Sequence, residues 1–206
     1  MSEEKLIKLK QAIRKRTAIF IDAANLERSV QDMWVNPKDI QEEYKNHTAD
    51  KLSWRVDYKK MENFFKSICD VREILFYSAN FNSESHNKFL AFLSKALKFV
   101  LRTKFLKEYK DHSLECPHRK ANFDVEIAVD ATYLLDKYDT FILFSGDCDF
   151  EYLLKFLRGQ NKITIVFSRT GHVAKELPPA SNYYFDIVDF RNKLLKMQIK
   201  QAKNPR

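Results

Sequence analysis

The chain has 206 residues, 45% of them hydrophobic and 31% charged, with a net charge of +8. That size suits one domain with extensions, and the balance excludes a disordered or collagen-like chain. Only three glycines, Gly146, Gly159 and Gly171, argue against a Gly-rich phosphate cradle, and no apolar run approaches the roughly 18 residues of a membrane span.

Residues 2–16 are charged throughout, without the apolar core of a signal peptide. They predict an N-terminal helix on a cytoplasmic protein. Residues 17–21, Thr-Ala-Ile-Phe-Ile, form a continuous apolar run of strand length. Residues 32–57 break the rhythm: they are polar, anchored by Trp34 and Trp54, with Pro37 and Asp39 as a possible helix start. This stretch reads as an insertion. Residues 58–69 place Met61, Phe64, Phe65 and Ile68 on one helical stripe, and residues 74–77 are a second strand run. Residues 89–101 repeat Phe89, Leu90, Leu93, Leu97 and Val100 at helical spacing, and residues 109–122 read as a loop. Residues 124–135 predict a helix on Ile127, Ala128, Ala131 and Leu135, leading into a strand at 140–144. Residues 149–157 predict another helix, with Gly159 as its C-cap. A strand at 163–167 and a weaker one at 184–188 follow, and residues 189–206 read as a basic C-terminal helix and tail.

Continuous apolar strands suit a parallel sheet buried on both faces. Their alternation with helices implies βαβ crossovers, hence a three-layer α/β sandwich with a mainly parallel central sheet. With no repeats and no low-complexity linker, residues 1–206 read as a single domain.

The charge is unevenly spread. Residues 5–16 carry six Lys/Arg and no acid, residues 88–120 a net of +6, and residues 191–206 six Lys/Arg and no acid. Together they hold +18 against +8 for the whole chain, which leaves −10 elsewhere. One such segment is a solvated helix face; three point to a polyanion partner. Lys95, Lys98 and Arg102 are candidates to track its backbone. Three cysteines, Cys69, Cys116 and Cys148, are the sparse set of a reducing compartment. Cys116-Pro117-His118 with His112 lacks a finger spacing and reads as structural.

In an open α/β sheet, ligands sit beyond the carboxyl ends of the strands. Asp22 and Asn25 follow the first strand run, and Ser145, Asp147 and Asp149 follow the run at 140–144. Asp124 opens the preceding helix. Each aspartate alone suits a helix cap. All at one sheet edge would repel one another, a cost that a hard divalent cation relieves. Asp130 lies about 240° around the helix from Asp124, so a shared ion is less well supported there.

These segments resemble a known family. Ile19-Phe20-Ile21-Asp22-Ala23-Ala24-Asn25-Leu26, Phe123-Asp124-Val125-Glu126-Ile127-Ala128-Val129-Asp130-Ala131 and Ser145-Gly146-Asp147-Cys148-Asp149-Phe150 are similar to the signature of NYN domains of the LabA-like group. These are relatives of PIN and FLAP nucleases. The resemblance runs from about Thr17 to Asp189. It implies a PIN-like Rossmannoid fold, Mg²⁺ or Mn²⁺ bound by aspartates, and cleavage of RNA. It makes Asp22, Asp124, Asp147 and Asp149 catalytic residues and metal ligands, with Asp130 ranked below them. Asn25 and Ser145 become site-lining, substrate-binding residues. Where the family often has Lys-Gly-Val-Asp, this chain has Lys120-Ala121-Asn122-Phe123-Asp124.

Two other readings carry different expectations. A haloacid-dehalogenase-like phosphatase needs a second acid two residues after its nucleophile, and Ala24 stands there after Asp22. An RNA-binding or regulatory module would keep the fold with little turnover. The sequence leaves oligomeric state open, a homo-oligomer included.

Overall fold

The computed structural model describes residues 3–81, 83–105, 107–109, 118–120 and 122–200. In chain order the elements are α1 (Glu3–Ala12), β1 (Arg16–Asp22), α2 (Ala23–Gln31), β2 (Leu52–Val56), α3 (Tyr58–Ile68), β3 (Asp70–Asn80), α4 (Glu84–Ala91), β4 (Val100–Phe105), β5 (Lys107–Tyr109) and β6 (His118–Lys120). There follow α5 (Asp124–Tyr133), β7 (Thr140–Phe144), α6 (Glu151–Gly159), β8 (Ile163–Ser168), α7 (Leu177–Ala180), β9 (Tyr183–Asp186), α8 (Arg191–Leu194) and β10 (Leu195–Ile199).

Six strands form the central sheet in the order β4-β3-β1-β7-β8-β9. Every pairing in it is parallel. The strands at its centre are apolar on both faces because both faces are covered. One face of the sheet, with Ile19, Ile21, Phe76 and Phe144, packs against Leu26 and Val30 of α2, Phe64 and Phe65 of α3 and Leu90 of α4. The other, with Phe20, Leu75, Tyr77, Phe141 and Leu143, packs against Ile127 and Ala131 of α5 and Leu153, Leu154 and Leu157 of α6. These are the three layers expected. The chain builds outward from β1 to β4 on one side, then from β7 to β9 on the other. The order therefore reverses between β1 and β7, where a crevice opens beyond the strand ends.

Four local expectations need correction. The apolar period at 89–101 hides a change of element. The helix gives way to a π turn at Phe92–Ala96, Lys98 takes a left-handed φ of 59°, and β4 begins at Val100. Lys95, Lys98 and Arg102 therefore do not share a helix face. Residues 189–206 are not a helix over their described part, which ends at residue 200. α8 spans four residues, and β10 then pairs antiparallel with β2, Leu195 opposite Val56 and Ile199 opposite Leu52. Leu195 and Met197 are buried while Lys196 is exposed, an alternation of strand period that the doublet Leu194-Leu195 masked. The stretch 32–57 accordingly ends in a strand of this second sheet. Trp54 is buried in it, whereas Trp34 is 68% exposed and anchors no core. Gly159 is the last residue of α6, and the left-handed turn comes at Asn161 instead.

Lys107–Tyr109 and His118–Lys120 pair antiparallel, so strand pairing reaches into both ends of the loop expected at 109–122. Cys116 and His112 lie outside the described residues, as do the side chains of His118 and Lys120. No helix among the described residues is long and apolar enough to cross a membrane.

Candidate functional site

The crevice between β1 and β7 is lined by short loops that hydrogen bonds fasten together. Asp22, the last residue of β1, caps α2: its Oδ1 accepts the Asn25 N–H at 3.2 Å. Its Oδ2 accepts the Ser145 hydroxyl at 3.1 Å. The same Ser145 oxygen accepts the Asp147 N–H at 3.3 Å. In the opposite direction, the Gly146 N–H donates to Asn25 Oδ1 at 2.8 Å. Asp147 Oδ1 accepts the Asp149 N–H at 3.2 Å, capping a single 3₁₀ turn. Capping is thus real for Asp22 and Asp147, and it fixes where their carboxylates point.

Asp124 differs. It is the first residue of α5, and its own N–H donates to Asn122 Oδ1 at 2.9 Å. Lys104 of β4 steadies this end of α5. Its ammonium donates to the Asn122 carbonyl at 2.8 Å, pairs with Glu126 at 2.5 Å, and lies 5.0 Å from the centre of the Phe123 ring. In the sequence Lys104 was one of many basic residues; only the fold gives it this place.

Asp22 and Asp124 sense their acidic neighbours. Burial pushes the Asp22 carboxyl above its ordinary value. The Asn25 and Ser145 hydrogen bonds oppose that push, and the charges of Asp124 and Asp147 add to it. Burial also raises Asp124, opposed by Asn122 and reinforced by the charges of Asp147 and Asp149. The tightest donor group is Asp147, Cys148 and Asp149, whose ligand atoms all lie within 4.8 Å of one another. Asp22, at the end of β1, and Asp124, at the start of α5, are not part of that group of three, though Asp124 reaches Asp149. Desolvation and the two flanking aspartates push the Cys148 thiol up, so it stays protonated at neutral pH.

Gly146 lets the loop after β7 pack tightly against its neighbour. A Cβ there would lie 2.0 Å from the His172 carbonyl oxygen and 2.7 Å from Ser168 Oγ. The Ala174 N–H also donates to the Gly146 carbonyl at 2.9 Å. The loop after β8 therefore presses directly on the loop after β7. The sequence signal for this contact was a lone glycine between Ser145 and Asp147.

Of the expected site residues, Asp22, Asp124, Asp147, Asp149, Asn25 and Ser145 come together. Ser145 is buried, with its hydroxyl spent on Asp22 and the Asp147 amide, so it orients the carboxylate from within the protein. Asp130 does not join them. It lies about 9 Å further along the axis of α5 from Asp124. There it accepts from Arg102 Nε at 2.8 Å, Arg102 Nη2 at 3.1 Å and the Tyr77 hydroxyl at 2.9 Å. That carboxylate is saturated by an ion pair. Arg102 is correspondingly committed to Asp130, while Lys95 and Lys98 project as exposed cations on the connection from α4 to β4.

The NYN domain profile matches residues 16–189. The Low amplitude and bright protein LabA of Synechococcus elongatus is 30% identical over 186 residues, 89% of each chain. A crystal structure of a Vibrio parahaemolyticus protein of unknown function superposes with a TM-score of 0.65 at 21% identity. It covers 89% of this chain and 97% of that one, a likeness of fold.

Proposed function

Because this chain belongs to the NYN domain family, a nuclease-like family, we propose that it hydrolyses RNA phosphodiester bonds with a divalent cation. One observation carries the reading: Asp22, Asp124, Asp147 and Asp149 gather where the sheet order reverses, with Ser145 joining the Asp22 carboxylate to the Asp147 loop. Gathering carboxylates in a crevice costs free energy that a cation offsets. The donor set fits Mg²⁺ or Mn²⁺, since it is all oxygen apart from a protonated thiol that a hard ion does not favour. Asp22, Asp124, Asp147 and Asp149 would hold the ion. When bound, such an ion ionises a water and neutralises charge on a phosphoryl group in displacement.

The chain's own residues do the rest. Ser145 fixes the Asp22 carboxylate, and Asn25 ties the first turn of α2 to Gly146 with its amide NH₂ still available. Lys95 and Lys98 supply exposed positive charge for the RNA backbone. Ala24 leaves no second acid beside Asp22, so no phosphoenzyme forms there.

The test is digestion of labelled single-stranded and structured RNA with and without Mn²⁺, beside Asp147→Asn. We expect cation-dependent cleavage leaving 5′-phosphate ends, reduced about 100-fold or more by the substitution. A 2′,3′-cyclic phosphate product overturns the role of the aspartates. RNA that is bound and never cut, with no Mn²⁺ uptake by titration calorimetry, makes the protein a binding module.

A further inference from the structure

The loop after β8, residues 169–176, leaves the sheet at the same edge as the carboxylates, beside the loop after β7. Two fastenings hold it. On its outer side the Thr170 N–H donates to Asp186 Oδ2 at 3.1 Å, and the Thr170 hydroxyl donates to the same oxygen. On its inner side the Ala174 N–H donates to the Gly146 carbonyl, one residue from Asp147. Gly171, with a left-handed φ of 85°, makes the turn between the two. A loop pinned on both sides keeps its side chains at a fixed place beside the crevice.

Arg169 opens the loop and is half-buried. Its Nη1 donates to the Ser29 carbonyl at 3.0 Å, in the last turn of α2. Asp22, Asn25 and Ser29 stand at i, i+3 and i+7, one stripe of that helix. The guanidinium therefore lies about 10 Å beyond Asp22 along the axis of α2, on the stripe that carries the Asn25 amide. A carbonyl is a neutral partner: it orients the guanidinium and leaves its charge and its other N–H groups unspent. Lys175 follows Ala174 and is exposed. Neither cation has a carboxylate partner among the described residues. Asp186, which faces the loop from β9, is taken up by Thr170 and by the Val188 N–H. Arg102 and Lys104, on the other flank of the site, are neutralised by Asp130 and Glu126.

We propose that this loop is a subsite for the RNA backbone, in which Arg169 and Lys175 hold phosphates that neighbour the scissile one. The inference rests on the nuclease reading for its substrate. Carboxylates with their cation take up one phosphodiester; the phosphates on either side of it bring charge that needs cations not already paired. The Arg169 fork suits a phosphate, to which it can give two parallel N–H bonds. Because the loop is already fixed, little ordering accompanies binding. Arg169 also caps the C-terminal end of α2, where a cation is favourable. Arg169→Gln separates the two roles, since its amide still donates to the Ser29 carbonyl and the charge is gone.

Filter binding of a short labelled single-stranded RNA to the full chain, without added metal, tests this. Arg169→Gln combined with Lys175→Gln weakens binding about tenfold and lowers the slope of log affinity against log salt by about 1.4, at roughly 0.7 per phosphate of a single strand. Melting temperature and Mn²⁺ affinity by titration calorimetry stay at wild-type values. In turnover, KM for RNA rises, while hydrolysis of bis(p-nitrophenyl) phosphate, a diester with no neighbouring phosphate, is unchanged. Wild-type affinity and slope in the double variant overturn the subsite. A parallel fall in hydrolysis of the small diester overturns it too, because it marks a disturbed carboxylate site. RNA that is bound through this loop and never cut overturns the nuclease reading and leaves the subsite standing; cation-dependent cleavage that the double variant does not alter does the reverse.

Discussion

Asp139, immediately before β7, is gripped by Arg16 at the start of β1, with Nε–Oδ2 at 2.9 Å and Nη2–Oδ1 at 2.7 Å. The paired guanidinium holds its carboxyl down at about 2, against an ordinary 3.8. A carboxyl lowered by folding stabilises the protein above its unfolded value, and that contribution is lost as pH falls from about 4 toward 2. Asp139→Asn should flatten this acid limb in thermal melts. Asp22 and Asp124 work in the opposite sense. Their folded values are raised, so the metal-free protein loses stability as pH climbs through the range just above ordinary carboxylate titration. Asp124→Asn should therefore keep or raise the melting temperature of the metal-free protein while abolishing the rise that Mn²⁺ produces. Ser145→Ala, which frees Asp22 Oδ2, should weaken Mn²⁺ binding by about 10- to 100-fold in titration calorimetry. The aspartates were legible in the sequence because each lies at or just beyond the end of a strand or at the start of a helix. The direction of the Ser145 hydroxyl was not, because it depends on a partner 123 residues away. Asp130 matched the motif, yet its partner Arg102 sits on a strand that the apolar period concealed.

At the scale of elements, runs buried on both faces announced themselves, and strands at the margins did not. β4 is an edge strand with no buried residue, and its apolar residues merely extend the helical spacing of α4. β10 owes its form to pairing with β2, a tertiary contact that overrides the helical reading over residues 195–199. The loop after β7 shows the same limit in reverse. Gly146 stood in the sequence as one of only three glycines, and the His172 backbone shows that the position is a matter of space. Gly146→Ala must push the 169–172 segment away from the crevice. It should cost about 1–3 kcal/mol in urea unfolding, as overpacking does. It should also impair cleavage, because Ser145 and Asp147 flank it.

For the whole molecule, the charge asymmetry in the sequence is only partly available to a ligand. Arg16, Arg102, Lys104 and Arg191 are engaged with Asp139, Asp130, Glu126 and Asp39. Lys95 and Lys98 remain exposed, so the double reversal to Glu should lower the slope of log affinity against log salt by about 2. Filter binding across a salt series checks this, and the fold should be unaffected. The sheet of β2 and β10 ties together segments some 140 residues apart, and this bears on how the chain is made. At about 5–20 residues per second, β2 leaves the ribosome on the order of ten seconds before its partner strand exists. Throughout that interval the indole of Trp54 has no sheet to bury it, and the strand edge lies open to any passing chain. The nascent protein is thus most vulnerable at an element remote from its carboxylates, and protection during synthesis, by a chaperone or by slow translation, matters most there.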